Sequence, residues 1–275
     1  IQAFSFGYGL HSQIQPVGVY FAEEQLPDNS IILHNRNLEM TKAHHFVLGY
    51  DRSINKNLRI KAETYYQHLF NIPISPDPDN TLALINVEYG YVTEPLVNEG
   101  IGRNYGVELT LEQFLHRNFY FLLSSSLYDS KYRAADHVWR NTRYNGNYAF
   151  SFTGGKEFLK IKKSKQRTFG INIKTLYTGS LRDTPIDYDA SVAKGETVYV
   201  EKDAYSKRLP DYFRTDLRFS WNINKKKTTS TFALDIQNVT NYKNVFGQYF
   251  DAETGKITTE YQSPLIPVFS YKIEF

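Results

Sequence analysis

The chain ends Pro264-Leu-Ile-Pro-Val-Phe-Ser-Tyr-Lys-Ile-Glu-Phe275, and the reading of this stretch decides the fold. From Pro267 on, Phe269, Tyr271, Ile273 and Phe275 alternate with Ser270, Lys272 and Glu274. A period of two puts the apolar residues on one face of a strand and the polar residues on the other. The alternation runs to the final residue, an aromatic one. Terminal segments fray unless they are tied into a sheet, so a terminal apolar strand implies a wall that it helps to close. In such a wall Lys272 and Glu274 face an aqueous lumen, and the aromatic side faces hydrocarbon.

Upstream, the same pattern recurs. The first strand is expected over Ala3–Leu10, with Phe4, Phe6, Tyr8 and Leu10 on one face, and Gly18–Phe21 extends the wall after it. Further strands are expected over Ala43–Tyr50, Leu58–Gln67, Asn104–Phe114, Phe119–Leu127, Tyr144–Phe158, Phe169–Thr178, Phe213–Ile223 and Thr231–Val239. In the eighth, Phe213, Thr215, Leu217, Phe219, Trp221 and Ile223 interleave with Arg214, Asp216, Arg218, Ser220 and Asn222. The connections alternate strictly between short turns and long polar loops. The long ones are Asn71–Arg103, Asp129–Arg143, Gly179–Pro210 and Asn241–Ser263, besides the first loop His11–Lys42. Short turns on one side and long loops on the other are the plan of an outer-membrane barrel. The fold class expected is therefore all-β, an antiparallel transmembrane β-barrel segment of about ten strands. The C-terminus then lies on the periplasmic side.

Bulk properties narrow the function. The chain has 275 residues, and 16% of them are aromatic, with 22 Tyr and 19 Phe against a single Met. Tyr and Phe favour strands, and Tyr favours membrane interfaces. Cysteine is absent, which excludes disulfides, thiolate zinc sites and thiol nucleophiles. A net charge of +3 from nearly balanced totals gives no case for nucleic acid. No run approaches the roughly 18 apolar residues of a transmembrane helix. The mean hydropathy of -0.48 is no obstacle to a barrel, whose two faces average out. The chain opens at Ile1, so a processed product or a fragment is expected.

Enzyme chemistry and cofactors find no footing. His44 and His45 point to opposite faces of one strand and cannot share a metal ion. The glycines of Gly100-Ile-Gly-Arg-Asn-Tyr-Gly106 precede a strand, and without a helix N-terminus they make no phosphate cradle. Asp77 and Asp79 read as a solvated Pro-rich loop before they read as a calcium site. The basic turn Lys160–Arg167 suits acidic headgroups or plain water. Tyr144, Tyr212, Phe213, Tyr271 and Phe275 are placed near strand ends, as an interfacial girdle. The loop aromatics Tyr89, Tyr91, Trp139, Tyr188, Tyr199 and Tyr205 are not needed by the wall. Tyr91, Trp139, Tyr188 and Tyr205, with Arg140 and Arg182, are the candidate ligand-binding residues.

Two stretches then resemble a known family. Gly100-Ile-Gly-Arg-Asn-Tyr-Gly-Val-Glu-Leu-Thr-Leu-Glu112 and Leu234-Asp-Ile-Gln-Asn-Val-Thr-Asn-Tyr-Lys-Asn-Val-Phe246 are similar to wall strands of TonB-dependent outer-membrane receptors. The ending Tyr271-Lys-Ile-Glu-Phe275 fits the aromatic C-terminal signal of that class. Trp139–Tyr148 and Arg208–Leu217 look most like the branch with a carboxypeptidase-regulatory-like N-terminal domain. The resemblance implies the C-terminal portion, residues 1–275, of a barrel of about 22 strands, with the plug domain and the earlier strands outside this chain. It further implies outer-membrane lipid, a small nutrient ligand (an iron chelate or an oligosaccharide) and, through the plug, the TonB complex as partners. Two rival readings are a self-contained small barrel, adhesin or enzyme, and a soluble β-rich binding module.

Overall fold

The computed structural model describes residues 1–87, 90–162 and 165–275. Tyr89 and the centre of the basic turn 160–167 lie outside the described residues. Ten long strands carry the fold: β1 (Gln2–Gln13), β2 (Thr41–Ser53), β3 (Leu58–Ile74), β4 (Val97–His116), β5 (Phe119–Arg133), β6 (Tyr148–Lys162), β7 (Lys165–Thr178), β8 (Tyr212–Asn224), β9 (Thr229–Gln237) and β10 (Ile266–Glu274). They pair antiparallel in chain order, and a short strand Trp139–Asn141 adds to β5. The terminal strand pairs with β9, Phe232 opposite Tyr271 and Leu234 opposite Phe269. Among the described residues β1 and β10 do not pair, so the sheet is an open segment of a wall.

The register aligns the apolar side chains from strand to strand. Phe4 is paired with Tyr50, then the row runs through Ala62, Leu109, Ser125, Phe150 and Tyr177 to Phe213. It starts near the short-turn end of β1 and finishes at the long-loop end of β8. Such a climb means that the strands are tilted, which is the stagger a sheet needs to curl into a barrel. The apolar side is uncovered: Phe4 is 81% exposed and Phe269 82%. The opposite face carries a charge ladder, with Lys61–Glu63 at 2.7 Å, Arg214–Asp216 at 2.7 Å, Arg218–Asp235 at 3.0 Å and Lys272–Glu274 at 2.7 Å. Each such pair contributes under about 1 kcal/mol in water, so the ladder marks a wet lumen more than it stabilises the sheet.

Several expected boundaries shift. Val17–Tyr20 is a single helical turn, not wall, because Pro16 fixes the entry and its carbonyl accepts from the Val19 amide at 2.9 Å. The strands flanking the second loop are longer than their alternation. β3 passes the left-handed Asn71 (φ 56°) with a bulge, and β4 begins at Val97, so the loop is 75–96. Gly100 permits that extension, since a Cβ there would lie 2.7 Å from the Ile72 carbonyl oxygen. β5 runs on to Arg133. β6 starts at Tyr148 and not at Tyr144, because Asn147 is left-handed (φ 70°) and breaks the strand. Tyr144 is therefore a loop residue and not part of a strand-end girdle. The last long loop contains a hairpin of its own, Val245–Asp251 against Lys256–Tyr261.

In the stretch Asn238-Val-Thr240, Asn238 has a structural role. Asn238 is 2% exposed and left-handed (φ 48°); its amide donates to the Tyr242 carbonyl at 3.0 Å, and its side-chain oxygen accepts from the Tyr242 amide. Asn244 pairs with both backbone groups of Phe213, at 2.8 and 2.9 Å, and so prolongs the β8 ladder with a side chain.

Candidate ligand site among the long loops

Buried side chains are concentrated where the long loops fold together, not in the wall. Tyr132, on the polar face near the end of β5, is fully buried among Ile72, Ile74, Ala83 and Ala134. Tyr205 meets its ring edge-on at 6.0 Å, and the Tyr132 hydroxyl donates to the Thr81 carbonyl at 3.1 Å. Thr81 in turn donates to Glu201 Oε2 at 3.0 Å. Loop 75–96 and loop 179–211 are thereby tied to one wall strand. A second cluster, Val19, Leu84 and Leu96, binds the first loop to the same assembly. Asn35, fully buried, bridges it to loop 75–96 by donating to the Glu94 carbonyl and accepting from the Leu96 amide, both at 2.9 Å.

Between these loops lies a cavity of about 490 Å³. Among the described residues five carboxylates line it: Asp77, Asp79, Glu94, Asp183 and Glu201. Four of them accept from neutral donors: Asp77 from the Asp79 amide, Glu94 from Asn80, Asp183 from the Thr184 amide and Glu201 from Thr81. Asp183 is 8% exposed, so its carboxyl group has little access to water. Among the described residues Arg143 is the cation of the lining, and Tyr199 and Tyr205 supply aromatic faces. Burial raises the Tyr199 hydroxyl and pushes Tyr205 up to about 12. Both stay neutral hydrogen-bond donors at ordinary pH. Among the described residues no group of three or more His, Cys, Asp or Glu side chains is arranged to hold a metal ion.

The six candidate residues are dispersed. Tyr205 lines the cavity. Arg140 braces it from outside, with a bidentate pair to Asp136 at 2.9 and 2.6 Å, and reaches toward the Lys202 carbonyl at 3.4 Å. The Arg140 guanidinium holds the Asp136 carboxyl below its usual range. Arg182 clamps the turn before β6, donating to the Asn145 carbonyl at 3.0 Å and to Asn147 Oδ1 at 2.9 Å, and burial lowers its pKa. Tyr91 packs its ring over Gly18, where a Cβ would approach within 2.7 Å. Tyr188 opens the helix Tyr188–Lys194, bonds the Gly255 carbonyl at 3.0 Å and meets Phe250 edge-on. Trp139 is on the apolar side of the wall, with Arg103 4.4 Å from its ring centre. Sequence reasoning did not select Arg143, Asp183 or Glu201 for this site. Their only local signal is polarity, which every loop shares.

Two of the other hollows have simpler roles. The one on the apolar face, about 700 Å³, is lined by Leu48, Val107, Leu109 and Leu127 and is a surface for hydrocarbon. The one on the polar face, about 540 Å³, contains Glu63 and Glu108, directly opposite each other on β3 and β4, with Tyr65, Tyr128 and Tyr144.

The family model described as TonB dependent receptor-like, beta-barrel matches residues 3–239. No curated protein matches the chain.

Proposed function

This chain belongs to the TonB-dependent receptor β-barrel family, and we propose that it forms the last ten strands of a receptor that imports an oligosaccharide-like nutrient. At the family level the function is that of an outer-membrane receptor and transporter, a class of transporters and not of enzymes. The finer reading rests on the inter-loop cavity. Among the described residues, five carboxylates against one guanidinium repel an anionic chelate, while carboxylates and neutral tyrosine hydroxyls are suited to sugar hydroxyls and aromatic faces to sugar rings. The long loops are then extracellular, and the charged face of the wall is the lumen. A plug domain, encoded outside residues 1–275, fills that lumen against the Glu63 and Glu108 pair and passes the pull of TonB to the site. The free edges of β1 and β10 close through strands of the same receptor.

Calorimetry on the complete receptor tests this reading, with neutral oligosaccharides and anionic iron chelates as separate titrants. Neutral oligosaccharides bind, and Tyr199→Ala weakens them about tenfold, equivalent to ~1.4 kcal/mol. Tight binding of an anionic chelate, unaffected by Tyr199→Ala, refutes it.

A further inference from the structure

The apolar face of the wall changes character in two steps toward the long-loop end. Tyr8, Phe46, Tyr66 and Tyr105 are paired directly across β1 to β4 and form one aromatic row. Aromatic rows of this kind mark the membrane interface. Two residues further along each strand, about 7 Å at the usual rise, the row reads Leu10, His44, His68, Arg103 and Lys131. Arg133 follows on β5, paired with Trp139.

Here two guanidiniums share one indole. Arg103 is 4.4 Å from the Trp139 ring centre and Arg133 5.8 Å. The indole orients both cations but does not neutralise them. The nearby carboxylate, Asp129, is already taken by the Tyr105 hydroxyl at 3.0 Å, the Asn145 amide at 2.8 Å and Lys131 at 3.5 Å. Among the described residues neither Arg103 nor Arg133 has an ion-pair partner, and the buried Nε of Arg103 has no acceptor. Paired arginine forks without a counter-ion match the oxygens of a phosphate.

We infer that Arg103 and Arg133, held on Trp139, bind the anionic phosphate headgroup of a membrane lipid at the long-loop side of the wall. The position selects a lipid over free phosphate. The cations lie just beyond the aromatic row, at headgroup height, and the 700 Å³ apolar groove beneath that row runs over the same strands. A headgroup on the arginines therefore places its acyl chains along Val107, Leu109 and Leu127. The inference rests on the wall spanning a bilayer and is independent of which nutrient the loops bind.

Residues 1–275 hold two tryptophans, so the Trp139 emission is read as the difference between the complete receptor and its Trp139→Phe variant, which cancels Trp221 and every indole outside this chain. The complete receptor is placed in phosphatidylcholine bilayers doped with phosphatidic acid, or with diacylglycerol as the phosphate-free control, or exposed to inorganic phosphate. Phosphatidic acid shifts the Trp139 emission, and the other two leave it unchanged. An arginine at an anionic surface contributes about fivefold, so Arg103→Gln with Arg133→Gln weakens phosphatidic acid binding about twenty-fivefold. Arg103→Lys with Arg133→Lys, which keeps the charge and loses the fork, weakens it less. The far-ultraviolet circular dichroism of the Gln double variant stays as in the parent, which shows that the barrel has folded. Equal responses to phosphatidic acid and diacylglycerol, an equal response to inorganic phosphate, or undiminished binding by the Gln variant each overturns the inference.

Discussion

Replacing Tyr132 by Ala opens the loop assembly and leaves the wall intact. Tyr132 is fully buried, packs on Ile72, Ile74 and Ala83, meets Tyr205 at 6.0 Å and donates to the Thr81 carbonyl. Truncating a buried aromatic ring to Ala costs about 3–5 kcal/mol. At ~1.4 kcal/mol per factor of ten, that is roughly two to three and a half orders of magnitude in the local opening equilibrium. Tyr132→Phe keeps the ring and removes only the hydroxyl, at a cost of about 1 kcal/mol, or roughly fivefold. Native-state hydrogen exchange reads both variants segment by segment. Amides of residues 81–86 and 199–205 lose protection strongly with Ala and slightly with Phe. Amides of β8 and β9, where Phe219 is paired with Leu234, keep theirs. Equal behaviour of Ala and Phe, or joint opening of wall and loops, refutes the prediction. In the first case the ring does not bear the packing; in the second the loops are not a separate cooperative unit.

Three further outcomes follow from the same geometry. Leu109→Arg, on the apolar side in the middle of β4, destabilises the barrel in a bilayer by about 2–4 kcal/mol, whereas Thr110→Arg on the lumen side has little effect; denaturant unfolding in liposomes compares the two. Gly179→Ala drives a Cβ to within 1.7 Å of the Gly146 carbonyl oxygen, a backbone atom that cannot swing away; overpacking of about 1–3 kcal/mol frees loop 179–211, seen as faster limited proteolysis there. The loop assembly also has a pH window. Tyr205 has its pKa raised above the ordinary 10 to about 12, so its contribution is intact below pH 10 and is lost as pH rises through about 12. Asp136 has its pKa lowered beneath 3.8, so the Arg140 pair contributes fully above that value and is lost as pH falls below it. Proteolysis of the loops across pH checks both limits, and Asp136→Asn removes the acidic one.

The sequence by itself determined the wall. Alternation in ten segments, short turns against long loops and the aromatic terminus all survive in the strand order β1 to β10 and in the β9–β10 register. A period of two is a local property, imposed by neighbours along the chain, and so it is legible without coordinates. Strand ends were less legible, because Asn71, Asn147 and Gly100 set them through left-handed backbone and close backbone approach, which hydropathy does not encode. The sites belonged to the tertiary structure alone. Trp139 and Arg140 are adjacent in sequence, yet one meets Arg103 on the membrane side and the other reaches the Lys202 carbonyl among the loops. Thr81 and Glu201 are 120 residues apart and share a hydrogen bond. Contacts between loops depend on how the strands beneath bring their ends together, and no local pattern records that.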